Sequence, residues 1–305
     1  MIIPILILII FLLILGILII FFMFTSKTVY ARKKTKIKYT DKEKSALDFI
    51  DTNAKDIAII TSDSKKIKLT GKMLKQENPT NKWAIIVHGH TRYYESVCSI
   101  AKDFYDKGFN ILTPNLRGHG PSGGKITTMG IMECQDMLCW IELILKEDKN
   151  ANIILHGTSL GAGTVMNTIG LKSECLKNVK AVIEDCGFTS IYSEFENLIK
   201  STYKLLPTKL TMNIINSLCK LIYGIDFKSV EPIKMIQNSN IPILFIHGDK
   251  DTYVPFYMLD QLYNVYNGPK EKLIVKDAKH AEASNILGDE YSNIIMQFIK
   301  KYTNI

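Results

Sequence analysis

Residues Gly157-Thr158-Ser159-Leu160-Gly161 follow the apolar run Ile153-Ile154-Leu155 and open a stretch with helical spacing. A strand, then Gly-x-Ser-x-Gly, then a helix is the setting in which a serine hydroxyl is presented as a nucleophile. The chain must reverse there within about one residue, which forces the serine into a strained backbone conformation. A Cβ two positions to either side would collide, so Gly157 and Gly161 are required. The helix that begins after the serine directs N–H groups and positive dipole at the hydroxyl.

A serine hydroxyl needs a base to take its proton, and the base needs an orienting carboxylate. Of six histidines, His88, His156 and His247 each precede a glycine at the end of a strand-like run and read as sheet-edge turn residues. His119 lies in the tight Arg117-Gly118-His119-Gly120-Pro121 loop, and His90 follows the first His-Gly pair. His280 alone stands in a polar loop beyond a late strand, Lys272-Leu273-Ile274-Val275, where a mobile base fits best. For the carboxylate, Asp251 is the choice, with Asp249 in the same post-strand segment and Asp185 at another strand end as competitors.

Five segments carry a family resemblance: Val87-His88-Gly89-His90-Thr91; Asn115 to Gly124; His156 to Gly161; Phe245 to Pro255; and His280. With them the chain resembles the α/β-hydrolase superfamily, especially serine hydrolases with an N-terminal membrane anchor. The order Ser159, Asp251, His280 is the superfamily's chain order. The resemblance implies Asp251 as the acid and the backbone N–H groups of His90 and Leu160 as an oxyanion hole. It departs at Asn115, where such proteins usually carry aspartate, a change that touches loop structure and not the three central residues.

These residues need a scaffold, and the chain supplies one. Ile57 to Thr61 and Lys66 to Thr70 read as a leading hairpin. Strand-like runs near 83–87, 109–113, 152–156, 180–184, 241–246 and 271–275 then alternate with helical spacing. Such alternation predicts a mostly parallel sheet covered on both faces, with ligands outside the strand C-termini. The gap from 184 to 241 is too long for one crossover; a two-helix cap over residues 188–236 is expected near the active-site mouth.

At 305 residues and 47% hydrophobic, the chain suffices for one large core with an appendage. Residues 1–24 carry no charge and would span about 36 Å as a helix, enough to cross a bilayer. They lack a basic start and a small-x-small cleavage site, so a retained transmembrane anchor is expected. Residues 25–55 read as a basic juxtamembrane linker and 56–305 as the α/β-hydrolase domain. Six of the chain's eight net positive charges fall in residues 25–44, so the basic balance points to anionic lipid and orientation, not nucleic acid. Positive-inside logic places the domain on the cytoplasmic side of the cell membrane.

The six cysteines show no CxxC and read as free thiols of a reducing compartment. The run Gly118 to Lys125 fails as a phosphate loop, since His119 and Ile126 stand where glycine and Ser/Thr are needed. No cofactor or metal is called for; the expected partners are an acyl substrate and the membrane. The expected activity is hydrolysis of a carboxylic ester, thioester or acyl-lipid through an acyl-enzyme. Acyl transfer or peptide cleavage on the same residues, or a silent membrane-bound binding module, are the alternatives.

Overall fold

The computed structural model describes residues 15, 16, 18, 39–202 and 207–305. Apart from Leu15, Gly16 and Leu18, the stretch read as an anchor lies outside them, as does the basic segment up to Lys38. Among the described residues no helix is long and apolar enough to cross a membrane.

Eight strands form one sheet in the order β1-β2-β4-β3-β5-β6-β7-β8. They are β1 (Lys55–Ile60), β2 (Lys68–Leu74), β3 (Lys82–Val87), β4 (Asn110–Pro114), β5 (Asn152–Thr158), β6 (Val179–Asp185), β7 (Ile243–Gly248) and β8 (Lys270–Val275). β1 and β2 pair as an antiparallel hairpin and β2 joins β4 antiparallel; from β4 to β8 all neighbours are parallel. The central strands are apolar almost throughout because both faces are covered. Successive side chains point to opposite faces. Ile85, Val87, Ile153 and Leu155 therefore enter one core cluster, while Ala84, Ile86 and Ile154 enter the other.

The first cluster is closed by helices Glu133–Glu147, Leu160–Ile169 and Tyr257–Val265, through Trp140, Ile144, Val165, Met166, Met258 and Leu262. Helices Asp41–Asn53, Cys98–Asp106 and Asp289–Tyr302 close the second, through Ile50, Phe104, Ile295 and Phe298. The first of these corrects the reading of residues 25–55 as linker. Residues 41–53 form a helix whose Thr40 side chain accepts from the Glu43 N–H while Glu43 accepts from the Thr40 N–H, a reciprocal cap. Its Ala46 and Ile50 are buried in the domain core.

Between β6 and β7 lie two long helices, Ile191–Thr202 and Thr208–Tyr223, with Pro207 preceding the second, and then the single turn Pro232–Met235. The second ends at Gly224, whose φ of 70° supplies the left-handed turn a side chain would oppose.

Candidate active site

β5 ends at Thr158 and a helix begins at Leu160, so one residue turns the chain. That residue, Ser159, sits at φ 56° and ψ −114°, a conformation L-residues rarely hold. A Cβ on Gly157 would lie 2.2 Å from the Gly161 carbonyl oxygen, and one on Gly161 2.2 Å from the Val87 oxygen. Glycine at both positions is thus a packing requirement. The Ser159 N–H donates to the Asp185 carbonyl at 2.8 Å, tying the elbow to β6.

His280 Nε2 is 2.9 Å from Ser159 Oγ, and His280 Nδ1 is 2.7 Å from Asp251 Oδ2. Asp251 Oδ1 accepts the N–H groups of Tyr253 at 2.9 Å and Val254 at 3.0 Å. A second imidazole reaches the same carboxylate, with His247 Nε2 3.3 Å from Oδ2 and 3.0 Å from the Val254 carbonyl. Burial pushes the Asp251 carboxyl up, but hydrogen bonds from His247 and His280 outweigh it and hold its pKa at about 2. Asp251 is therefore ionised, and Nδ1 of His280 carries the proton while Nε2 faces the serine as acceptor.

The loop carrying His280 is braced from β7. Asp249 Oδ1 accepts the Asp277 N–H at 2.7 Å, and the Lys250 N–H donates to Ala278 O at 2.9 Å. Asp249, a competitor for the acid, thus holds the histidine loop and makes no hydrogen bond to His280 among those in the structure. Asp185, the other competitor, accepts Tyr291 Oη at 2.8 Å; that hydroxyl also lies 2.7 Å from His156 Nε2. Burial pushes the Asp185 carboxyl up to about 6, and that of its neighbour Glu184 to about 8.

The remaining histidines are structural. His88 Nδ1 donates to the Gly89 carbonyl at 2.8 Å, so Nε2 is free to accept the Leu116 N–H at 3.0 Å. Burial drives His88, His90 and His156 down to about 3, keeping them neutral. Asn115 accepts the Tyr94 N–H at 3.0 Å and donates to Thr70 Oγ1 at 3.1 Å. An amide can do both where a carboxylate can only accept, which gives the departure at this position a structural role. Arg117 makes a bidentate pair with Asp136 and reaches Asp63, locking the loop it sits in to the β1–β2 turn. Among the described residues, one group could converge on a metal: Cys186, Asp251 and His280. Two of these are already bonded to each other, and burial raises the Cys186 thiol well above its ordinary range, which disfavours the thiolate a metal needs.

Ser159 and His280 open onto a cleft of about 510 Å³. Its walls are the segment from His90 to Ile100, which runs from the β3 end into the helix Cys98–Asp106, the residues about His280, the Tyr253 side chain, and Tyr39, Thr40 and Glu43 at the entry to the helix Asp41–Asn53. No described residue of 188–236 lines it; of the two helices expected to cap the mouth, the first brings Glu194 within electrostatic reach of Asp251 and Tyr253. Sequence reasoning missed three contributors. The Tyr253 ring packs on His280 with centroids 4.8 Å apart, His247 shares Asp251, and Tyr39 closes one wall. The spacing His247-x-Asp249-x-Asp251 carried a signal for the second; nothing local marks the others.

The family model described as "Serine aminopeptidase, S33" matches residues 78–213, which include Ser159 but end before Asp251 and His280. The Bacillus subtilis protein YqkD is 29% identical over 216 residues, covering 70% of each chain. The rat lysophosphatidylserine lipase ABHD12 is 27% identical over 186 residues, 59% of this chain and 44% of that protein. Among solved structures, the Pyrococcus furiosus esterase Pf2001 superposes with a TM-score of 0.65 at 22% identity, covering 88% of this chain and 96% of its own. The sheet order, the serine elbow and these similarities identify the chain as a member of the α/β-hydrolase superfamily.

Proposed function

We propose that this hydrolase is a serine esterase in which His280 deprotonates Ser159, Asp251 orients His280, and the acyl-enzyme is released by water. The observation that carries this reading is the continuous chain from Asp251 Oδ2 through His280 to Ser159 Oγ, at 2.7 and 2.9 Å. Attack of Oγ on a carbonyl places negative charge on its oxygen. The donors proposed to receive it are the backbone N–H groups of Leu160, at the helix start that follows the elbow, and of His90, in the loop after β3. Each such donor is typically worth ~3–4 kcal/mol of barrier. Asp251 stabilises the imidazolium that forms, and the same proton then goes to the leaving alcohol or thiol.

Carboxylic esters, thioesters and acyl-lipids fit this chemistry, and the ABHD12 and Pf2001 similarities point the same way. An aminopeptidase would need a carboxylate free to hold the substrate ammonium. Of the two carboxylates lining the cleft, Glu43 accepts from Thr40 and Asp185 accepts from Tyr291, which favours ester over peptide. Pre-steady-state hydrolysis of 4-nitrophenyl butyrate tests the reading. A burst of nitrophenol equal to the enzyme concentration, lost in Ser159→Ala, is expected; a rate that Ser159→Ala leaves intact would refute it.

We also propose that residues 1–24 anchor the enzyme in the cell membrane with the domain on the cytoplasmic side. The charge-free span and the basic excess that follows it support this orientation. Protease treatment of intact cells decides the side: the domain should survive until lysis, and its loss from unlysed cells would place it outside.

A further inference from the structure

We propose that Arg92 is the anion-recognition residue of this cleft, so that the preferred substrates are esters carrying a carboxylate or phosphate near the scissile bond. The inference rests on the ester-hydrolase reading and adds the substrate's charge to it.

Only three of the chain's 38 basic residues are arginines: Arg32, Arg92 and Arg117. Arg117 is buried and consumed by Asp136 and Asp63. Arg92 lines the cleft that holds Ser159 and His280, and no ion pair between described residues includes its guanidinium. The carboxylates that could have claimed it are engaged elsewhere. Glu95 accepts Tyr39 Oη at 3.2 Å, Glu43 accepts the Thr40 N–H at 2.7 Å, and Asp185 accepts Tyr291 Oη at 2.8 Å. The charge of Arg92 is felt at the cleft's outer wall. Burial and Glu95 push the Tyr39 hydroxyl up to about 12, and Arg92 pulls in the opposite direction.

Its position is fixed by the backbone. Thr91 is β-branched yet sits at φ 62°, a left-handed conformation that persists only where the surroundings impose it. The Arg92 N–H donates back to Gly89 O at 3.3 Å, and two residues on, the Tyr94 N–H is held by Asn115. Arg92 also follows His90, the proposed oxyanion donor, by two residues, a span of at most ~7 Å of chain. A carbonyl at Ser159 and an anion on Arg92 therefore fall within one cleft, where a single small substrate can carry both. The planar fork of arginine matches the two oxygens of a carboxylate or phosphate, where a lysine would offer only a point charge.

The test compares kcat/KM within matched pairs for the full-length protein and its Arg92→Gln and Arg92→Lys variants. One pair puts the anion on the acyl side: 4-nitrophenyl hydrogen adipate against 4-nitrophenyl hexanoate. The other puts it on the alcohol side: 1-hexanoylglycerol 3-phosphate against 1-hexanoylglycerol. The charged-to-neutral ratio should fall about tenfold or more in Arg92→Gln for at least one pair, and less in Arg92→Lys. The pair that responds locates the anion. Ratios unchanged by Arg92→Gln in both pairs would overturn the proposal. Binding of hexyl phosphate to the Ser159→Ala protein, with and without Arg92→Gln, reads the same site without catalysis. If no ester is hydrolysed but Arg92→Gln weakens that binding about tenfold, the ester reading fails and the anion site stands. Equal binding would remove the site as well.

Discussion

Replacing Asp251 with asparagine should be the most damaging change that leaves Ser159 and His280 in place. Oδ1 accepts two backbone N–H groups, and the asparagine oxygen can keep both. The other position becomes an NH₂, a donor, where Oδ2 had been the acceptor facing His280 Nδ1 and His247 Nε2. Two donors cannot share a hydrogen bond, so His280 must move its proton to Nε2 and present N–H, not a lone pair, to Ser159. The base is then lost although the geometry survives. The expected fall in kcat for 4-nitrophenyl butyrate is about 10⁴, or roughly 5.5 kcal/mol, with KM little changed. Asp249→Asn keeps its acceptor for the Asp277 N–H, and Asp185→Asn keeps one for Tyr291, so each should cost less than about tenfold. Stability gives a second readout. A carboxylate held at about 2 contributes stability present above its unfolded pKa and lost as pH falls toward 2, on the order of 2 kcal/mol. The thermal-melt gap between wild type and Asp251→Asn should therefore close on acidification. An Asp251→Asn enzyme within tenfold of wild type, or a larger loss in Asp185→Asn, would refute the assignment of the acid.

Gly161→Ala places a Cβ 2.2 Å from the Val87 oxygen, so β3 and the helix after Ser159 must separate; denaturant melts should show a loss of at least about 3 kcal/mol. Glu184, buried and pushed up to about 8, binds its proton more tightly when folded, so the stability it contributes is present at low pH and lost as pH rises through about 8. The Tm of Glu184→Gln should consequently fall less than that of wild type between about pH 6 and about pH 9; parallel curves would count against the buried acid. Chain-length selectivity should be shallow, because no described residue of 188–236 lines the cleft. A groove burying each added methylene would gain about 0.8 kcal/mol per group, so a change of less than about tenfold from 4-nitrophenyl butanoate to dodecanoate is expected, and a steep rise would contradict this.

The sheet was legible because a doubly covered parallel strand must be apolar on both sides, and runs such as Ile243 to Ile246 allow no amphipathic alternative. The elbow was legible because its constraint is local, with Gly157 and Gly161 required by contacts that the reversal itself creates. Choosing among Asp185, Asp249 and Asp251 was less direct, since all three lie at or just past strand ends and only three-dimensional contact separates a brace from an orienting acid. The helix at 41–53 was masked by the basic residues around it, although Thr40-x-x-Glu43 before Ala46 and Ile50 is a capping signal. The makeup of the cleft was least accessible. Tyr39 and Arg92 meet there across more than fifty residues of chain, and no periodicity records such a meeting.

The central claim is that one hydroxyl in this chain is activated and that His280 and Asp251 activate it. Labelling of the full-length protein with a fluorophosphonate, followed by mass-spectrometric mapping of the adduct, addresses that claim most directly. The account predicts a single adduct on Ser159, formed at least about 10³-fold more slowly in His280→Ala. An adduct on another residue, or labelling of Ser159 at an undiminished rate without His280, would contradict it.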